Sequence, residues 1–277
     1  MSTLRNNMIQ QMELKGFSPL TIKVYIFHLL QLCKHFNTSP DLLSVEQIRT
    51  YLHQTVAEKK CSRSWMNQMV SALKILYCDV LRRQWDPLDL PRAPREKKLP
   101  VILSRDEVSR IIQVTENIKH RAVLMLTYSA GLRLHEVKSL KLSDIDSARM
   151  MVRVVQSKGD KDRYTILSPL ALKMLREYWN RYRPGVWLFE THPGKAMADR
   201  TAQLIFKHSL QKAGIKKAAS FHTLRHSFAT HLMEQGVSLP IIQQLLGHSS
   251  LKTTSGYLHV QQYSVDAVKS PLDTLSL

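Results

Sequence analysis

Between Asp86 and Pro100 the chain reads DPLDLPRAPREKKLP, and no regular element runs through it. Each of its four prolines fixes φ, removes a backbone donor and restricts the residue before it. The segments on either side must therefore fold separately, joined by a basic, semi-extended linker. At 277 residues the chain is long enough for two domains, and its 44% apolar residues supply two cores.

The upstream part reads as helical. Ser18-Pro19 is a good helix start, with a side-chain cap and a proline in the first turn. Tyr25, Leu29, Leu32 and Phe36 come next at helical spacing. Ser44 and Gln47 form a capping box before the stripe Val45, Ile48, Leu52 and Val56. Trp65, Met69, Leu73, Leu76 and Val80 form a third stripe. Lys59, Lys60, Arg63, Arg82 and Arg83 fall outside these stripes.

Charge narrows the function. Lys and Arg number 40 against 22 Asp and Glu, a formal net charge of +18. Such an excess draws polyanions through counterion release and steering, so nucleic acid is the expected partner. No apolar stretch approaches the ~20 residues of a membrane span. The opening MSTLRNNMIQQMELKG lacks the apolar core of a signal peptide, and a soluble, cytoplasmic protein without membrane association is expected. Cys33, Cys61 and Cys78 are odd in number and widely spaced, with no CxxC pair, and read as reduced thiols.

The downstream part mixes helix with a hairpin. Ser104 and Glu107 form a capping box before Val108, Ile111 and Ile112. Arg121 to Ala130 reads as a buried helix stopped by Gly131, and a further helix spans Leu134 to Leu140. Met150–Gln156 and Arg163–Leu167 are β-rich and flank the turn SKGDKD. Helices are expected near Leu170–Tyr182 and Ala202–Ala213. In HTLRHSFATHL, residues Leu224, Phe228 and Leu232 mark a buried helix face, and His222 and Arg225 share a neighbouring one. Pro240 starts a helix and Gly247 stops it, which leaves His248 just past its end.

Three islands carry chemistry: SAGLRLHEV with Arg133 and Glu136, FHTLRHSFATHL with His222 and Arg225, and LLGHSSLKTTSGYLHV with His248 and Tyr257. The hairpin turn adds Lys158. Guanidiniums match phosphate oxygens bidentately. Two of them, with no carboxylate cluster to hold magnesium, point to metal-free phosphoryl transfer. A tyrosine oxygen as nucleophile gives a covalent phosphotyrosine. A lysine on a hairpin is suited to protonate the leaving oxygen, and histidines to move the nucleophile's proton.

These islands resemble those of the tyrosine recombinases, the phage integrases and Xer-type resolvases in particular. GLRLHE is similar to the family's first arginine box, HTLRHSFATHL and LLGHSSLKTT to its second, and Tyr257 stands at the nucleophile's place. The resemblance covers Val101 to Gln262 and, more weakly, the helical N-terminal half. It implies a mainly α fold with a small β-hairpin or sheet in the catalytic domain, arranged as a two-domain, C-shaped DNA clamp. A SAM-like core-binding domain would span 1–85, a linker 86–100 and the catalytic domain 101–277.

By that resemblance Arg133 and Arg225 clamp the phosphate, and Lys158 is the general acid, with Lys161 a weaker rival in the same turn. His222 assists proton transfer, His248 bonds the scissile phosphate, Tyr257 attacks and Glu136 orients the arginine box. The implied reaction is site-specific recombination through a 3′-phosphotyrosyl intermediate and a Holliday junction, with no metal, ATP or other cofactor. The implied partners are double-stranded DNA recombination sites, bound by a homotetramer on paired sites, and the implied location is the cytoplasm, in association with the nucleoid. Lys59, Lys60, Arg63, Lys74, Arg95, Lys97 and Lys98 are the candidate DNA contacts. Gly256 departs from the family's usual larger residue before the tyrosine. A relaxing type IB topoisomerase and a catalytically silent DNA-binding accessory protein are the alternatives; the complete Arg-Lys-His-Arg-His-Tyr set argues against the second.

Overall fold

The computed structural model describes residues 2–59, 61–83, 100–157 and 161–248. The chain divides into two compact units, Met1–Lys97 and Lys98–Leu277. The linker read over 86–100 lies, except for Pro100, outside the described residues.

In the first unit, α1 (Ser2–Leu14), α2 (Pro19–Phe36), α3 (Val45–Lys59) and α4 (Arg63–Lys74) surround one core. Ser18 caps α2 by accepting from the Thr21 N–H, and Asn37 closes it in the left-handed region. The capping box of α3 is present, with Ser44 N–H donating to Gln47 at 2.8 Å and Gln47 N–H to Ser44 at 3.2 Å. Leu29, Leu32, Ile48, Leu52, Met69, Leu73 and Leu76 are buried as their spacing requires. Val56 is not: it is 44% exposed, and Tyr51 and Thr55 take the buried positions. The buried row runs 48, 51, 52, 55, so the apolar residue one step past Thr55 rotates out to solvent. The third stripe is not one α-helix either, because α4 passes at Ile75 into a π-helical turn, Ile75–Val80. That turn keeps Ile75, Leu76 and Tyr77 in the core, where the Tyr77 hydroxyl donates to the Pro40 carbonyl.

The second unit is helical around a small sheet. The capped α5 (Arg105–Gln113) precedes α6 (Ile118–Ala130), which starts at its Asn117 cap, earlier than the sequence suggests, and ends at Gly131 with φ 60°. After α7 (Leu134–Ser139) come β1 (Ile145–Asp146), β2 (Met151–Ser157) and β3 (Lys161–Ile166) in antiparallel order β1-β2-β3. The hairpin thus gains a short third strand. Next in the chain are α8 (Pro169–Tyr182), the ribbon β4 (Glu190–His192) and β5 (Lys195–Ala196), α9 (Asp199–Lys212), α10 (Phe221–Glu234) and α11 (Leu239–Leu246). Along β3 the parity puts Arg163, Thr165 and Leu167 inward and Asp162, Tyr164 and Ile166 outward.

Helix α10 differs from its expected one-sided burial. Leu232 is only partly buried, while Thr223, Arg225, Ser227, Ala229, Thr230, His231 and Met233 are buried with Leu224 and Phe228. The helix is central, so its polar residues need internal partners. Ser227 accepts from the Leu103 N–H, and His231 bonds the Tyr128 hydroxyl at 2.8 Å. Among the described residues no helix is long and apolar enough to cross a membrane, and Cys33, Cys61 and Cys78 form no disulfide.

Candidate active site

Three stretches of the second unit meet at one carboxylate. Glu136 lies in the first turn of α7, and its side chain is 1% exposed. It accepts the Arg133 backbone N–H at 2.7 Å and the Arg133 guanidinium at 2.8 Å. From β3, Arg163 donates to both carboxylate oxygens, at 2.7 and 2.8 Å. From α10, the Arg225 guanidinium stands 3.6 Å away. Three guanidiniums around one carboxylate leave a local surplus of positive charge.

Backbone carbonyls hold those guanidiniums in place. Arg225 donates to the Gly131 carbonyl and to the Leu246 carbonyl, both at 2.6 Å. Arg163 donates through Nε to the Leu245 carbonyl at 2.9 Å. These acceptors sit where α6 and α11 end, at the negative pole of each helix dipole. Both helices stop in left-handed glycines, Gly131 and Gly247. A side chain at either would collide with the site's supports: a Cβ at Gly131 would lie 2.3 Å from the Phe228 ring, and one at Gly247 2.6 Å from Arg163 Cδ.

The imidazoles adjoin this cluster. His222, at the start of α10, has an open edge, yet the atoms packed around it lower its pKa, as do the charges of Arg225 and Arg133. His226 packs edge-on against it, ring centroids 4.6 Å apart, and burial with His222 lowers its pKa to about 4. His248 comes after the α11 cap, with its N–H on the Gln243 carbonyl and its own carbonyl accepting from the Gln243 amide. Burial first, then Arg225, Arg133 and Arg163, lowers His248 to about 3. These imidazoles are neutral near pH 7 and able to accept a proton or to bond a phosphate oxygen through N–H. Burial alone would raise the Glu136 pKa, but the Arg163 hydrogen bonds and charge, with the Arg133 N–H and Arg225, hold it at about 2.

These shifts set an acid limit. The unfolded chain binds more protons than the folded one from pH 6.5 down to about 4 at His226 and about 3 at His248. At Glu136 the window runs from 4.5 down to about 2. A lowered folded-state pKa means stability falls as pH drops through each window. Melting temperatures from pH 7 to 3 are expected to fall throughout. His226→Gln is expected to flatten the upper part of that slope; an unchanged slope would place the acid sensitivity elsewhere.

Of the residues read from the sequence, Arg133, Glu136, His222, Arg225 and His248 come together here. Lys158 and Tyr257 lie outside the described residues, as do Lys60, Arg95, Lys97, Lys98 and the side chains of Lys59 and Lys161. Arg63 and Lys74 are exposed on α4 of the first unit, apart from this cluster's own unit. Sequence reading gave no role to Arg163, the buried partner of Glu136. Its signal was strand parity, a basic residue in step with Thr165 and Leu167 on the inward face.

Comparison with known proteins accounts for this combination of a helical unit and an arginine-histidine centre. A model described as the phage integrase family matches residues 102–263, and one described as the phage integrase N-terminal SAM-like domain matches residues 4–87. The chain belongs to the phage integrase family. It is 41% identical over 281 residues to the integrase/recombinase y4qK of Sinorhizobium fredii, covering 99% of this chain and 90% of that protein. It is 33% identical over 269 residues to the tyrosine recombinase XerD of Oceanobacillus iheyensis, covering 89% of each. A crystal structure of a lambda integrase tetramer bound to a Holliday junction shares the fold, with a TM-score of 0.75 and 19% identity over 92% of this chain and 76% of that one. Within the family, the chain is a tyrosine site-specific recombinase, a DNA-binding enzyme that breaks and rejoins strands.

Proposed function

We propose that this recombinase works through Tyr257, with Arg133, Lys158, His222, Arg225 and His248 as its other catalytic residues. The Tyr257 oxygen attacks the scissile phosphorus, and the bond from phosphorus to the 5′-oxygen breaks. A 3′-phosphotyrosyl bond remains, and Lys158 supplies the proton that the leaving 5′-hydroxyl needs. Arg133 and Arg225 meet the charge on the non-bridging oxygens. His222 takes the tyrosine proton, and His248 bonds the phosphate. A 5′-hydroxyl from the partner duplex then displaces Tyr257, and two such exchanges build and resolve a Holliday junction. The phosphotyrosyl bond conserves the energy of the broken one, so ATP has no role, and the guanidiniums supply the charge neutralisation in place of a metal.

The observation that carries this reading is the packing of Arg133 and Arg225 around buried Glu136 with His222 and His248 beside them. The net charge of +18 fits a DNA partner. We assign residues 1–85 to a core-binding domain, 86–100 to the linker and 101–277 to the catalytic domain. Lys59, Lys60, Arg63, Lys74, Arg95, Lys97 and Lys98 are the proposed phosphate contacts. The lambda tetramer on a Holliday junction supports a homotetramer on paired sites as the working form.

The test is covalent capture. Nicked duplexes with randomised arms, incubated with the chain in EDTA and no ATP, should yield a protein–DNA adduct, and peptide mapping should place the DNA on Tyr257. The captured sequences would define the core site. An adduct on another residue, or none without a divalent metal, would sink the mechanism. Sequence-indifferent relaxation of supercoiled plasmid would favour the topoisomerase reading.

A further inference from the structure

The catalytic mechanism leaves Arg163 idle, although it is one of the most deeply placed cations of the second unit. Its side chain is 7% exposed, and its two terminal nitrogens occupy both oxygens of Glu136. Its Nε donates to the Leu245 carbonyl at 2.9 Å. Each of its three nitrogens is thus engaged inside the protein. Gly247, which lacks a Cβ, lets the Arg163 stem pass beneath the start of the His248 connection.

We propose that Arg163 is a positioning residue: it neutralises Glu136 and ties the hairpin and the end of α11 to the arginine pair. The inference rests on the phosphate-clamping roles proposed for Arg133 and Arg225. Its logic is electrostatic. A buried carboxylate facing only Arg133 and Arg225 would draw both guanidiniums onto itself, leaving less of their charge for a phosphate. With Arg163 holding both oxygens, Arg133 keeps one guanidinium bond to Glu136, and Arg225 stays 3.6 Å off, anchored to carbonyls. The geometry also links parts that the chemistry must align. Arg163 comes closely after the turn that carries Lys158, and its Nε bond fixes the α11 terminus that leads into His248. A bidentate fork sets angle as well as distance, which a lysine ammonium does not.

The experiment compares Arg163→Met, Arg163→Lys and the double variant Arg163→Met with Glu136→Gln on the nicked duplex captured by the wild type. Binding is read by gel shift, adduct formation by single-turnover rate at saturating DNA, and both are normalised to the folded fraction. Arg163→Met is expected to bind within about 3-fold of wild type but to cleave roughly 100-fold more slowly, as small misplacements of reacting groups do. Arg163→Lys is expected to remain well below wild type despite its charge. Removing the stranded carboxylate in the double variant is expected to recover part of the rate. Should Arg163→Met not fold, Arg163→Lys and the double variant carry the same comparison.

Wild-type cleavage rates in Arg163→Met or Arg163→Lys would overturn the assignment, as would a deficit that vanishes on normalising to folded protein. If the double variant is no faster than Arg163→Met, neutralisation of Glu136 is not the cause and the proposal also fails. These results are separable from a failure of the underlying mechanism, in which the wild type itself would give no adduct at Tyr257.

Discussion

Arg225→Lys is expected to bind DNA but to form covalent adduct about 10²–10³-fold more slowly, the range for losing one preorganised donor at developing charge. The side chain is 1% exposed and placed by two carbonyls, Gly131 and Leu246, each 2.6 Å from a guanidinium nitrogen. A lysine keeps the charge but cannot span both carbonyls and also face a phosphate. One of the carbonyls then lies buried without its donor, at a cost of about 1–3 kcal/mol. The variant should therefore melt earlier as well. Single-turnover adduct formation at saturating DNA separates the two effects, and a rate within tenfold of wild type would remove Arg225 from the chemistry.

Gly131→Ala is expected to have the largest effect on stability. The residue has φ +60°, where an L side chain costs about 1–2 kcal/mol. Its Cβ would stand 2.3 and 2.6 Å from two carbons of the Phe228 ring, on the helix that carries Arg225. Forcing that ring aside costs a further 1–3 kcal/mol, roughly, by the usual penalty for overpacking. Together these predict a melting temperature lower by roughly 10 °C for a unit of this size. Because the Gly131 carbonyl holds Arg225, cleavage should fall further than unfolding explains. A variant with wild-type melting would show that α6 can end otherwise. Calorimetry alongside the adduct assay reads both.

The parts of this arrangement that the sequence announces are those set by local chemistry. Ser18, Ser44 and Ser104 cap helices because their oxygens meet backbone donors within the next turn. Gly131 and Gly247 end helices because the left-handed turn favours a missing Cβ. The arginine and histidine islands stand out because they are polar residues within helical apolar patterns. What stayed hidden depends on contacts distant in sequence. The exposure of Val56 comes from the rotation of α3 against its neighbours, and the burial of α10 on nearly every side depends on the helices packed around it. Arg163 is the clearest case. It lies 27 residues from Glu136 and 82 from Leu245, and only the folded sheet brings those partners to it.

The Glu136 knot also bears on when the enzyme becomes dangerous. Its strands arrive in the order Arg133, Arg163, Arg225 and Leu246, so a nascent chain on the ribosome carries the first guanidinium long before the last anchor emerges. A half-made chain therefore lacks the aligned guanidinium pair to which the proposed mechanism assigns the phosphate. On the proposed mechanism, competence for cleavage waits on closure of the same knot that stabilises the finished fold.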